Sequence, residues 1–113
     1  MNKYARYLKE LKGYEMYEDE DGFVTYGIMQ DSEHKFMYIE DIYVVPEKRK
    51  NNIASKYADK VLEQAKAQNC TALLGSVVPA LRPDSHYRML VLLGYGFKLH
   101  SSQDNIVYFY KEI

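Results

Sequence analysis

The stretch from Tyr38 to Gln68, YIEDIYVVPEKRKNNIASKYADKVLEQAKAQ, leaves this chain few ways to fold. Ile39, Ile42, Tyr43, Val44 and Val45 form a β-branched and aromatic run, the composition of a sheet interior. Pro46 ends the run, because proline has no N–H to give a central ladder. Lys48, Arg49, Lys50, Asn51 and Asn52 follow as a polar, basic turn. Ile53, Ala54, Tyr57, Ala58, Val61, Leu62 and Ala65 then recur at helical spacing and make one apolar face. A strand that passes through such a turn into a helix presents free backbone N–H groups and the positive end of the dipole. That setting suits an anion such as phosphate. An ordinary capped helix, with solvated basic residues before it, explains the same turn without a ligand.

The flanking segments supply a sheet for this unit. Residues 2–12 read as a short helix with Tyr4, Tyr7, Leu8 and Leu11 on one side and Gly13 as its stop. Tyr14 to Tyr17 reads as a strand, Asp21-Gly22 as a hairpin signal and Phe23 to Met29 as the return strand. Asp31 to His34 turn the chain again, and Lys35 to Val45 completes an antiparallel meander. A helix over about 52–68 follows, with Asn69 as a left-handed cap. Thr71 to Val78 is then a strand parallel to the Tyr38 strand through a right-handed crossover. Asp84 or Ser85 caps a second helix whose body, His86 to Tyr95, is apolar on most sides and so is expected to pack deeply. Phe97 to His100 and Ile106 to Tyr110 form a terminal hairpin around a turn at Ser101 to Asn105. The fold class is α/β (α+β) with one mixed central sheet, in a single domain spanning 1–113.

Charge and composition remove several function classes. The net charge of −1 argues against a dedicated nucleic-acid binder. A single cysteine, Cys70, excludes an internal disulfide and a cysteine-rich zinc site, and is most simply a small core residue. The opening MNKYARYLKELKG has no long apolar core, so it does not read as a signal peptide, and no run approaches a membrane span. The expectation is a soluble protein of the cytoplasm. His34 and His100 lack metal-ligand spacing, and neither a metal site nor a nucleophile triad is visible.

Glu40 and Asp41 stand out as adjacent carboxylates inside an apolar strand. Strand alternation sends them to opposite faces. A buried carboxylate must find a partner, shift its pKa or face a cleft, and one in a cleft is a general-base candidate. A strand bulge, or an exposed edge with a lysine partner, is the plainer explanation. Tyr87 or His86, near the start of the second helix, is a candidate acid, although most of the 12 tyrosines must serve packing. The acidic turn Glu18 to Asp21 reads as a solvated hairpin tip.

The segment IYVVPEKRKNNIA resembles the acetyl-CoA-binding motif of the GNAT superfamily of N-acetyltransferases, an apolar strand with V-x-P followed by Q/R-x-x-G-x-G/A opening a helix. Val44 and Pro46 match the strand end, Arg49 the first motif position and Ala54 the last. LLGYGFKLH is similar to the family's L-G-F segment, and the element order agrees with the family fold. The resemblance implies direct transfer of an acetyl group from acetyl-CoA to an amine acceptor. It implies that backbone N–H groups of Lys50, Asn51, Asn52, Ile53, Ala54 and Ser55 hold the pyrophosphate, with Arg49 also in the cofactor site. It implies that Val44 and Val45 pair with the pantetheine arm and polarise the thioester carbonyl, and that Glu40 or Asp41 is the base.

Two positions depart from the pattern. Asn52 replaces the motif's central glycine; asparagine tolerates the left-handed region but adds bulk. The tyrosine that protonates the leaving thiolate in many relatives falls on Leu92, or on Leu90 if Gly94 is the anchor, and neither donates a proton. Tyr87, Tyr95 or unassisted departure of the thiolate replaces it. Ser85 falls where relatives often carry an asparagine near the cofactor. Two further readings stay open: a non-catalytic GNAT-fold protein that binds acyl-CoA or another protein, and an interaction module with no cofactor. The tyrosine-rich last strand offers an edge for a homodimer, or one covered within the monomer.

Overall fold

Each hairpin forms where a polar turn separates two alternating segments. A computed structural model describes residues 2–79 and 85–113, with Ser85 described by its backbone alone. The elements are α1 (Lys3–Lys12), β1 (Glu15–Asp19), β2 (Gly22–Gln30), β3 (Lys35–Val44), α2 (Ile53–Ala67), β4 (Ala72–Val77), α3 (Ser85–Tyr95), β5 (Lys98–Gln103) and β6 (Ile106–Glu112). One 3-10 turn, Pro46–Lys48, links β3 to the loop before α2. The strands form one sheet in the order β1-β2-β3-β4-β6-β5. β3 and β4 are parallel and every other pair is antiparallel. This is the mixed central sheet expected from the sequence.

The turns shift by a residue or two from their sequence signals. The first hairpin turns on Glu20 and Asp21, and Gly22 already pairs with Asp19 as the first residue of β2. Glycine is needed there for a different reason: a Cβ would lie 1.9 Å from the Tyr43 carbonyl oxygen. The last hairpin turns on Asp104 and Asn105 alone, and Ser101 to Gln103 remain in β5. Both turn residues have positive φ, 53° and 66°, which suits the twist of a two-residue hairpin.

One face of the sheet carries the main core. Val24, Met37, Ile39, Val44, Leu73, Val77 and Phe109 pack with Tyr57, Val61 and Ala65 of α2 and Leu92 of α3. Strand alternation therefore turns Thr25, Tyr38, Ser76 and Tyr108 to the other face. There α1 packs against β1. α1 ends on Gly13 at φ 74°, the expected left-handed cap.

The helices bury less than their composition suggested. α1 buries Ala5 and Leu8, whereas Tyr4, Tyr7 and Leu11 are exposed, because one strand offers it only a narrow contact. α3 does not pack deeply on most sides. Leu92 is buried, but Tyr87, Leu90 and Leu93 are exposed. The expected cap Asp84 lies outside the described residues, and the Ser85 side chain does too. β6 is interior, between β4 and β5, so the last strand offers no free edge to a second copy. No described helix is long and apolar enough to cross a membrane.

Candidate active site

The site begins where β3 and β4 separate. Their pairing runs from Phe36 opposite Ala72 to Ile39 opposite Gly75. β3 then continues to Val44 and β4 to Val77 without pairing to each other. The separation coincides with a bulge. Tyr26 pairs with Ile39 and Thr25 with Asp41, so Glu40 is the extra residue on β3. A bulge bends its strand and breaks its ladder locally, which turns the β3 backbone away from β4.

A cleft occupies the gap. Ile39, Ile42, Val44, Gly75, Ser76 and Leu92 are among its walls, with Arg49, Tyr87 and Arg88 at its polar positions. Gly75 keeps the floor low: a Cβ there would sit 3.2 Å from a Leu92 methyl. The cleft runs on into a second one of about 230 Å³, between the loop before α2 and the outer side of α3. Lys48, Arg49, Lys50, Asn52, Ala54 and Ser55 line the loop side. Leu90, Val91 and Gly94 line the α3 side, which explains why Leu90 is exposed in this fold.

The loop geometry leaves uncapped backbone donors at the start of α2, on residues that line this second cleft. Asn52 occupies the N-cap position of α2 with φ 61° and ψ 22°, and its side chain makes no capping hydrogen bond. The ordinary capped helix that the sequence also allowed is therefore corrected: no side chain caps α2 at Asn52. The first N–H groups of a helix have no partner within it, and here α2 opens its ladder only at Lys56, whose N–H donates to the Asn52 carbonyl. Lys50 is also left-handed, at φ 70°. Arg49 folds back onto the strand: its Nε donates to the Val44 carbonyl at 2.9 Å, and its guanidinium lies 5.8 Å from the Tyr43 ring centre.

Not every residue singled out in the sequence joins the cleft. Val45 lines neither part; its N–H donates to the Asp21 carbonyl and its own carbonyl accepts from Lys48. Asn51 is exposed outside the lining. Tyr87 lines both parts. Tyr95 lines neither; its hydroxyl donates to Asp59 of α2 at 2.6 Å, and burial together with that carboxylate pushes the phenol well above its usual range.

The two carboxylates diverge from the bulge, and like Val45 they line neither part of the cleft. Glu40 Oε1 accepts from the Thr25 hydroxyl at 3.1 Å, and Glu40 Oε2 faces the Lys12 ammonium at 3.0 Å. Asp41 Oδ1 accepts from Arg88 at 2.6 Å. Arg88 Nε is buried without a hydrogen-bond partner in the described structure. The strand separation and the roles of Gly75, Ser76 and Arg88 were missed in the sequence. The strand bulge and the lysine partner, given there as the plainer explanation of the adjacent carboxylates, are both present at Glu40.

No curated protein sequence matches the chain. Among solved structures it is similar to the NatC complex bound to Gag peptide and CoA (13% identity, TM-score 0.67), covering 81% of this chain and 60% of that one. It is similar to PaiA N-acetyltransferase from Thermoplasma acidophilum in complex with coenzyme A (14%, 0.69), covering 82% and 54%. It is also similar to Arabidopsis thaliana Naa50 in complex with the bisubstrate analogue CoA-Ac-MVNAL (16%, 0.66), covering 82% and 66%. The chain thus spans just over half to two thirds of the length of these proteins, and at such identities the likeness is one of fold. Residues 4–86 match the Acetyltransferase (GNAT) family, and on that match the chain belongs to the GNAT acetyltransferase family.

Proposed function

We propose that residues 1–113 work as one acetyltransferase domain that moves an acetyl group from acetyl-CoA to an amine acceptor. The observation that carries this reading is the continuity of the two clefts. The gap between β3 and β4 opens directly onto the uncapped start of α2. In this reading the N–H groups of Ile53, Ala54 and Ser55 hold the pyrophosphate, with Lys48 and Lys50 adding positive charge. Asn52 keeps the turn in the left-handed geometry that a glycine would adopt. The β3 backbone from Ile42 to Val44 borders the thioester, where fixed N–H donors stabilise a developing oxyanion. Glu40 or Asp41 takes the proton from the attacking ammonium, and Tyr87, which lines both parts of the cleft, returns one to the thiolate. The CoA-bound relatives support the cofactor assignment.

The test is a thermal melt with acetyl-CoA and with CoA, followed by an amine screen read by thiol release. Ligand at about 100 times its Kd adds ~2.7 kcal/mol and raises Tm by several degrees. No shift at millimolar ligand sinks the proposal. A shift with no turnover on any amine favours a binding protein instead, a reading that Asn52 and the non-donating Leu90 and Leu92 support.

A further inference from the structure

On the face of the sheet opposite α2 and α3, the bulge supports a second feature. Glu40 is held from one side by the hydroxyl of Thr25, a residue only 1% exposed. Its other oxygen faces the Lys12 ammonium. The Tyr14 ring lies 5.7 Å from the same ammonium and is tilted against Tyr38 at 6.3 Å. Tyr14 is seated on Gly27, where any Cβ would fall 2.3 Å from the ring. Tyr38 in turn shares a hydrogen bond with Ser76 of β4 at 2.6 Å. A fixed carboxylate beside an aromatic face is the chemistry that recognises a primary ammonium. This niche is built at the residue where β3 leaves β4, and the chain's own lysine fills it.

We propose that Lys12 is an internal acetyl acceptor: its ammonium occupies the place of an acceptor amine beside Glu40, and its Nζ takes the acetyl group. The inference rests on the acetyl-CoA reading above. Lys12 gives one proton to the Glu40 carboxylate, and the freed lone pair of Nζ attacks the thioester carbonyl carbon. The new N–C bond forms and nitrogen loses its second proton. The C–S bond breaks with its electron pair on sulfur, and the thiolate takes up one proton. The net products are acetyl-lysine, free CoA and one released proton. Lys12 is the last residue of α1, with the left-handed Gly13 fixing its approach to the bulge, and half its side chain is in solvent, so the ammonium can pivot. Acetylation would remove the charge that pairs with Glu40 and so open the niche to an outside amine.

The experiment incubates the intact protein with acetyl-CoA and maps acetylated lysines by mass spectrometry, with a CoA melt on the same sample. Lys9 is the internal comparator, since it is also ion-paired on α1 but with Glu15. The expected result is acetylation of Lys12 ahead of Lys9, at a rate per molecule independent of protein concentration. Glu40→Gln, which keeps an acceptor for Thr25, should slow it by about 10²-fold while CoA binding persists. Lys12→Arg should abolish it. Binding of CoA with Lys12 modified no faster than Lys9, or unaffected by Glu40→Gln, overturns the inference and leaves the cofactor reading standing. Absence of CoA binding overturns the cofactor reading, and the inference with it.

Discussion

Arg88 of α3 donates from Nη1 to Asp41 Oδ1 at 2.6 Å, so the helix that walls the cleft is tied to the strand residue just past the bulge. The Arg88 side chain is only 16% exposed and its Nε has no acceptor among the described residues. Removing the carboxylate would strand a mostly buried cation. Asp41→Ala should therefore cost about 1–3 kcal/mol in urea unfolding. It should also weaken CoA binding, because α3 loses its tether beside the cleft. Asp41→Asn keeps the shape and should cost less. If Asp41→Asn abolishes turnover while stability and CoA affinity stay at wild type, Asp41 is the base and not the tether.

A second carboxylate ties β1 to α2. Asp19 Oδ1 accepts from the buried Tyr57 hydroxyl at 2.5 Å, and Oδ2 lies 3.1 Å from Lys56. The Tyr57 hydrogen bond, helped by the Asp21 N–H and Lys56, outweighs burial and lowers the Asp19 carboxyl from 3.8 to about 2. Since the folded value is the lower one, this contribution is complete above the unfolded value. It fades as pH falls from about 4 through about 2. With partial solvent access it is on the order of 1–2 kcal/mol. Asp19→Asn should be less stable than wild type at pH 7, with the difference closing below pH 4. A difference that stays constant down to pH 2 would dismiss the coupling.

Gly27 and Tyr14 form a lock on the opposite face. A Cβ on Gly27 would stand 2.3 and 2.8 Å from two carbons of the Tyr14 ring. A rigid ring this close must leave its seat. Gly27→Ala should lose about 1–3 kcal/mol. In a Tyr14→Ala background the same change should cost far less, which a double-mutant cycle reads directly. Equal costs in both backgrounds would show that the ring does not occupy this seat in solution.

The order of elements was legible because it rests on local signals. The Pro46 stop, the helical spacing from Ile53 to Ala65 and the polar turns each act within a few residues. The parallel placement of β4 followed from crossover handedness, and the Asn69 cap followed from its tolerance of positive φ, 61° in the structure. The cleft was less legible because it depends on pairing across the sheet. The adjacent carboxylates made a bulge the plainer reading, but which residue is the extra one is decided by how β2 meets β3. α3 misled for a related reason. Its apolar residues were read as core, but Leu90 faces the cleft, and periodicity cannot separate a wall of the core from a wall of a site.

Asn52 offers the most direct test of the loop. It holds φ 61° and ψ 22° at the motif position where glycine is expected, and its side chain caps nothing. A residue with a Cβ is disfavoured in this region, and asparagine less so than most. Asn52→Ala should cost about 1–2 kcal/mol and weaken CoA binding, because the loop must tilt to relieve φ. Asn52→Gly removes that strain but gives the unfolded chain more freedom, an opposing effect of ~0.5–1 kcal/mol, so stability should stay near wild type. Its CoA affinity should equal or exceed wild type, since the side chain no longer crowds the N–H groups of Ile53 to Ser55. Urea melts and calorimetric titration with CoA on the two variants decide the matter. An Ala variant as stable and as tightly binding as wild type would mean that the left-handed turn is not what presents those N–H groups to the phosphate.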